Sequence, residues 1–101
     1  MKKEEILEYL KQLQTQYNHI FIKIGLFGSY AKDNFDEFSD IDIAVKVNKE
    51  YLQTHDVWEY FEAINSIQNS IFNKFHLKSD IFDINSVSPY KEQILKEIIY
   101  V

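Results

Sequence analysis

A chain of 101 residues, 46% of them hydrophobic, has the length and apolar content of one compact domain, so residues 1–101 are expected to form a single unit around one core. It contains no cysteine, which excludes a disulfide framework and a thiolate zinc site and fits a reducing compartment. The formal charge is −5 and all 11 basic residues are Lys, a balance that argues against direct nucleic-acid binding, where basic groups neutralise phosphate, and suits a site that holds divalent cations.

At the N-terminus, acidic residues interrupt Met1-Lys2-Lys3-Glu4-Glu5-Ile6, which is not the pattern of a signal peptide, and no apolar run approaches the ~18 residues of a membrane span. A cytoplasmic protein without membrane contact is expected. Residues 2–17 place Ile6, Leu7, Leu10, Leu13 and Tyr17 on one helical stripe. From His19 to Phe27 the chain turns β-branched and aromatic, with Ile20, Ile22, Ile24 and Leu26 on one face and Phe21 and Phe27 on the other, a strand covered on both sides. Gly28-Ser29 ends it, and residues 30–39 read as a short helical turn followed by a polar loop. Asp40 to Val47 alternates as a second strand, with Asp40, Asp42 and Ala44 on one face and Ile41, Ile43, Val45 and Val47 on the core face. A helix from about Asp56 to Phe72 carries Val57, Phe61, Ile64, Ile71 and Phe72, and Leu77 to Ile84 reads as a third strand. Ser88-Pro89 opens a last helix through Ile94, Leu95 and Ile98, which leads to a short apolar end, Ile99-Tyr100-Val101. The order predicts an α/β (α+β) fold, a small mixed sheet with flanking helices. Trp58 and the Phe residues are expected in the core, and His19, His55 and His76 show no metal-ligand spacing. Asp33, Asp36 and Glu37 lack the pattern of a calcium loop and read as a solvated segment.

Two features carry chemistry. Gly28, one of only 2 glycines, stands where a buried strand stops, and glycine lets backbone approach a ligand closely while amides opening a helical turn hold phosphate oxygens. Ser29 adds a hydroxyl. Asp40-Ile41-Asp42 sets two carboxylates on one strand face, where their charges repel unless a cation joins them, as Mg²⁺ does in phosphoryl-transfer sites.

Gly28-Ser29, followed by ten residues and then Asp40-Ile41-Asp42-Ile43, resembles the signature of the DNA polymerase beta-like nucleotidyltransferase superfamily. The wording Leu26-Phe27-Gly28-Ser29-Tyr30-Ala31-Lys32 and Ser39-Asp40-Ile41-Asp42-Ile43-Ala44-Val45 is similar to its minimal nucleotidyltransferase branch, and the likeness spans essentially the whole chain. The resemblance implies the polymerase beta-like nucleotidyltransferase fold, ATP bound through Gly28 and Ser29, and two Mg²⁺ ions, for which Mn²⁺ can substitute, held by Asp40 and Asp42. It also implies a third carboxylate on a later strand that ligates metal and deprotonates the attacking hydroxyl. Asp80 and Asp83 are the candidates; they face opposite ways in a regular strand, and the family's spacing favours Asp80. Lys32 stands where many members have Arg, replacing a bidentate phosphate fork by a point charge. Glu97-Ile98 replaces a common Glu-Gly pair in the last turn, away from the chemistry. The branch often serves as the antitoxin beside a helical HEPN-type ribonuclease toxin, transferring AMP to a toxin tyrosine. Two alternatives stand beside that expectation: a transferase acting on a small hydroxylated molecule, and a non-catalytic antitoxin that silences its partner by covering it.

Overall fold

A computed structural model describes residues 2–101. The first helix, α1 (Lys2–Gln16), buries Ile6, Leu10 and Leu13, spaced so that one stripe meets the sheet. Strand β1 (Phe21–Phe27) follows and runs into the one-turn helix α2 (Gly28–Ala31). Strand β2 (Ile41–Val47) is antiparallel to β1, as a short connection permits. Helices α3 (Lys49–Thr54) and α4 (Val57–Phe75) carry the chain across to β3 (Ser79–Asp83), which is parallel to β2. Helix α5 (Lys91–Glu97) then leads into β4 (Ile99–Tyr100), antiparallel to β1. The sheet order is β3-β2-β1-β4.

The core lies on one face of this mixed sheet. Ile41, Ile43, Val45 and Val47 of β2 and Ile24 and Leu26 of β1 pack there against Ile6, Leu10 and Leu13 of α1 and Ala63, Ile67 and Ile71 of α4. The opposite face carries Asp42 and Ala44 on β2, Phe27 and Gly25 on β1, and Asp80 and Phe82 on β3, because side chains alternate along each strand. Phe27 and Phe82 meet edge-on across it, ring centroids 6.3 Å apart.

Several sequence expectations are corrected. Strand β1 contains a bulge: Phe21 pairs with Val47 and Lys23 with Lys46, so two residues of β1 advance against one of β2. The bulge reverses the alternation and sends Phe21 into the core, leaving Ile22 on the surface. Nor is β1 covered on both sides, since Lys23 is exposed. On α4 the buried stripe is Ala63, Ile67 and Ile71, one residue per turn, which rotates Val57, Trp58, Phe61 and Phe72 towards solvent. Trp58 is therefore a surface residue, 68% exposed, and Phe38, in the loop before β2, is 85% exposed; neither is core. Helix α4 extends to Phe75 and is capped by the Asp56 carboxylate, which accepts from the Trp58 amide at 3.0 Å, and by a left-handed His76. Ser88 and Pro89 form a turn ahead of α5 rather than its first residues. Helix α3 and strand β4 had no sequence signal: the first is six residues long and the second two.

Ser79 is the polar intruder in this core. Its hydroxyl is buried on the helix-facing side of β3 and finds no hydrogen-bond partner among the described residues, while its carbonyl takes the Gln68 amide at 3.0 Å. An unpartnered buried hydroxyl costs stability. Ser79→Ala should raise the free energy of unfolding by up to ~1 kcal/mol in urea titration with an unchanged slope. A loss of similar size would show that the hydroxyl is satisfied.

Candidate active site

The Gly28 turn sits directly above the acids. Phe27, the last residue of β1, pairs with Asp42, so the chain leaves the strand beside that carboxylate. Gly28 has φ +74°, a conformation that side chains disfavour, and a Cβ built on it would fall onto the Asp42 carboxylate. Two independent constraints therefore require glycine here. The turn continues into α2, where the Lys32 amide bonds the Gly28 carbonyl at 3.1 Å and the Asn34 amide bonds the Ser29 carbonyl at 3.0 Å. Tyr30 anchors it from below: the ring is buried and stacks on Phe35 at 4.3 Å with an interplanar angle of 12°, fixing the loop that leads to Asp40. Burial, followed by the charges of Asp36 and Asp40, pushes the Tyr30 hydroxyl pKa up. Asp36 shapes the same loop by accepting from the Phe38 amide at 2.8 Å.

Asp42 is flanked on its other side by Asp80, its partner across the parallel β2–β3 pair. Asp40 is exposed and lies just ahead of β2, yet its charge is felt at Asp42. Burial, then the charges of Asp80, Asp40 and Glu97, push the Asp42 pKa up to about 6, against a lowering by Lys32. Asp83, the other candidate on β3, faces α4: it accepts from the Asn85 amide at 2.8 Å and from the Tyr60 hydroxyl at 3.4 Å, closing the turn after the strand. The structure thus brings Gly28, Asp42 and Asp80 to one surface, with Ser29 next in the turn, and leaves Asp83 on the opposite one.

Among the described residues no three His, Cys, Asp or Glu side chains are grouped closely enough to hold a metal ion by themselves. The donor set nevertheless fits one. Asp42 and Asp80 are adjacent, unshielded carboxylates whose mutual repulsion a divalent cation relieves, and Mg²⁺ binds through one or two carboxylates, taking its remaining oxygens from water and phosphate.

Glu97, placed by its sequence away from the chemistry, belongs to this site. Its carboxylate, on the last turn of α5, accepts from the Gln93 amide at 2.7 Å and meets the Lys32 ammonium at 3.4 Å. The Gln93 bond holds its pKa below the usual carboxylate range, with smaller contributions from Lys32 and the backbone N–H of Gly28. The family resemblance marks Glu97 only as half of a common Glu-Gly pair; its place beside the site comes from packing α5 against α2. His19, His55 and His76 are exposed, and no metal cluster among the described residues includes them.

A glycine turn closing on paired carboxylates, carried on a four-stranded mixed sheet with helices against one face, is the arrangement of a phosphoryl-transfer type of site. The chain belongs to the polymerase beta nucleotidyltransferase family, whose model matches residues 4–101, and it is a nucleotidyltransferase. It is 32% identical over 81 residues to the protein adenylyltransferase MntA of Thermococcus cleftensis, covering 78% of this chain and 73% of that one. Among solved structures, one described as a "putative minimal nucleotidyltransferase" superposes with a TM-score of 0.71 at 20% identity, covering 98% of this chain and 95% of that chain. Another, a crystal structure of a toxin-antitoxin with AMP-PNP, gives a TM-score of 0.64 at 23% identity, covering 99% of this chain and 72% of that one. At these identities the two structures establish the fold. No helix among the described residues is long and apolar enough to cross a membrane.

Two outcomes follow from the geometry. Gly28→Ala should destabilise the protein by ~2 kcal/mol or more, since it meets both the backbone penalty and the Asp42 carboxylate; thermal denaturation measures this. The raised Asp42 pKa means that the folded state favours the protonated acid: the stability this gives is fully present below the ordinary value of 3.8 and is lost as pH rises through about 6. Asp42→Asn, which cannot ionise, should therefore match the parent near pH 3.5 and exceed it above pH 7 by roughly 1–2 kcal/mol, discounted for the half-exposed carboxylate. Carboxyl NMR should place the Asp42 midpoint near 6; a midpoint near 4 would remove the repulsion argument.

Proposed function

We propose that this chain transfers AMP from ATP to a hydroxyl, and that the acceptor is a tyrosine of a HEPN-type toxin for which the chain is the antitoxin. The observation that carries the reading is the Gly28 turn closing directly on Asp42, with Asp80 alongside. Gly28 and Ser29 would hold the phosphates of the nucleotide, with Lys32 as an added point charge, and Asp40, Asp42 and Asp80 would hold two Mg²⁺ ions together with phosphate and water oxygens. When bound, these ions neutralise the charge that develops on the transferring phosphoryl group. Asp80 takes the proton of the attacking hydroxyl. The acceptor oxygen bonds to the α-phosphorus as the bond to the bridging oxygen breaks, and pyrophosphate departs.

The toxin-antitoxin structure with AMP-PNP and the name of the Thermococcus cleftensis relative support the partner and the nucleotide. A cytoplasmic setting accords with a chain that lacks cysteine.

Mass spectrometry of the purified partner after incubation with this protein and Mg-ATP should show additions of the AMP mass on tyrosine. An unmodified partner, silenced by binding alone, would reject the catalytic reading. Within the site, Asp80→Asn should abolish transfer while Asp83→Asn leaves it within about tenfold, ~1.4 kcal/mol of barrier. The reverse order would move the base to Asp83.

A further inference from the structure

Among the described residues, the charges of Asp40, Asp80 and Glu97 act on the Asp42 carboxylate, and one basic side chain, Lys32, acts on it in opposition. That single cation is already engaged. Lys32 lies 3.4 Å from Glu97, and the two differ in freedom: the Lys32 side chain is 48% exposed, whereas the Glu97 side chain is 13% exposed and is pinned by Gln93 at 2.7 Å. The acid is therefore the fixed member and the base the mobile one. A half-exposed ion pair of this length is weakly held and exchanges its cation when a stronger anion arrives.

Resting on the reading that Gly28, Ser29 and Lys32 receive the phosphates of a nucleotide, we propose that Glu97 is a charge gate: a positioning residue that occupies Lys32 and adds a fourth negative charge to the cleft, so that a polyphosphate is admitted only together with its metal ions. Without metal, an incoming triphosphate meets Asp40, Asp42, Asp80 and Glu97 with Lys32 already neutralised. The like charges then repel it. With metal, the Asp carboxylates are neutralised and Lys32 can leave Glu97 for a phosphate oxygen. Glu97 touches the Lys32 ammonium and the Gly28 turn rather than the reacting atoms, so its effect appears in how binding depends on metal.

The test is calorimetric binding of α,β-methylene ATP, which cannot release pyrophosphate, to the parent, Glu97→Gln, Lys32→Gln and the double variant, each in EDTA and in Mg²⁺. Gln keeps the shape and the hydrogen bond to Gln93 while removing the charge. Glu97→Gln should tighten binding in EDTA by about tenfold or more, and in Mg²⁺ by less than about threefold, narrowing the ratio between the two conditions. Adding Lys32→Gln should cancel the gain. Equal affinity of Glu97→Gln and parent in both conditions, or an equal gain in both, overturns the gate and leaves the nucleotide reading intact. Failure of the parent to bind in Mg²⁺ removes the nucleotide reading and the gate with it. Should Glu97→Gln not fold by circular dichroism, Glu97→Asp, which keeps the charge but withdraws it by one methylene from Lys32, must show a smaller gain of the same sign in EDTA; no gain overturns the proposal.

Discussion

The closeness of the Gly28 turn to the Asp42 carboxylate is the constraint around which the rest is arranged. The turn has to leave β1 at the residue paired with Asp42, because only there does the following backbone pass over the acid. That places a left-handed backbone at Gly28, which glycine alone adopts without strain, and leaves no volume for a side chain. Tyr30, two residues on, is buried and stacked on Phe35, so α2 is held down and the loop is led back to Asp40. The register of β2 against both neighbours then fixes what surrounds Asp42: Phe27 on one side and Asp80 on the other. Shifting either pairing by one residue would turn a carboxylate into the apolar core.

The two faces of the sheet divide the work. One is packed by α1 and α4 and supplies the cohesion that tolerates an unfavourable cluster of charges opposite. The other carries the charges and remains open enough for Asp42 to be only half-buried. Active sites commonly trade stability for function in this way. The raised Asp42 pKa expresses that trade at a single group, and burial contributes more to it than any one neighbouring charge.

Much of this arrangement was legible in the chain, and the parts that were not share a physical cause. Alternation in Asp40 to Val47 placed Asp42 opposite Ile41 and Ile43, and the odd spacing of Asp80 and Asp83 placed them on opposite faces of β3; both depend only on the two-residue period of a strand. The same period misled at Phe21 and Ile22, because a bulge inserts one residue and leaves no mark in composition. On α4 the apolar residues are too numerous for periodicity to select a face, so Trp58, Phe61 and Phe72 read as core while the narrower Ala63-Ile67-Ile71 stripe meets the sheet. Glu97 reads in the sequence only as half of a common family pair away from the chemistry, because its role is tertiary: the docking of α5 beside α2 brings it to Lys32.

Strand β4 ties the site to the edge of the sheet. It is two residues long and pairs with Gly25 and Leu26 of β1, with Ile98, Ile99 and Tyr100 packed where a side chain on Gly25 would stand. The segment that closes this edge of the sheet is also the one that brings Glu97 to Lys32, because α5 runs directly into β4. Docking of β4 on β1 therefore seals the edge and engages Lys32 together, so the mechanical anchorage of the edge is also the electrostatic setting of the cleft.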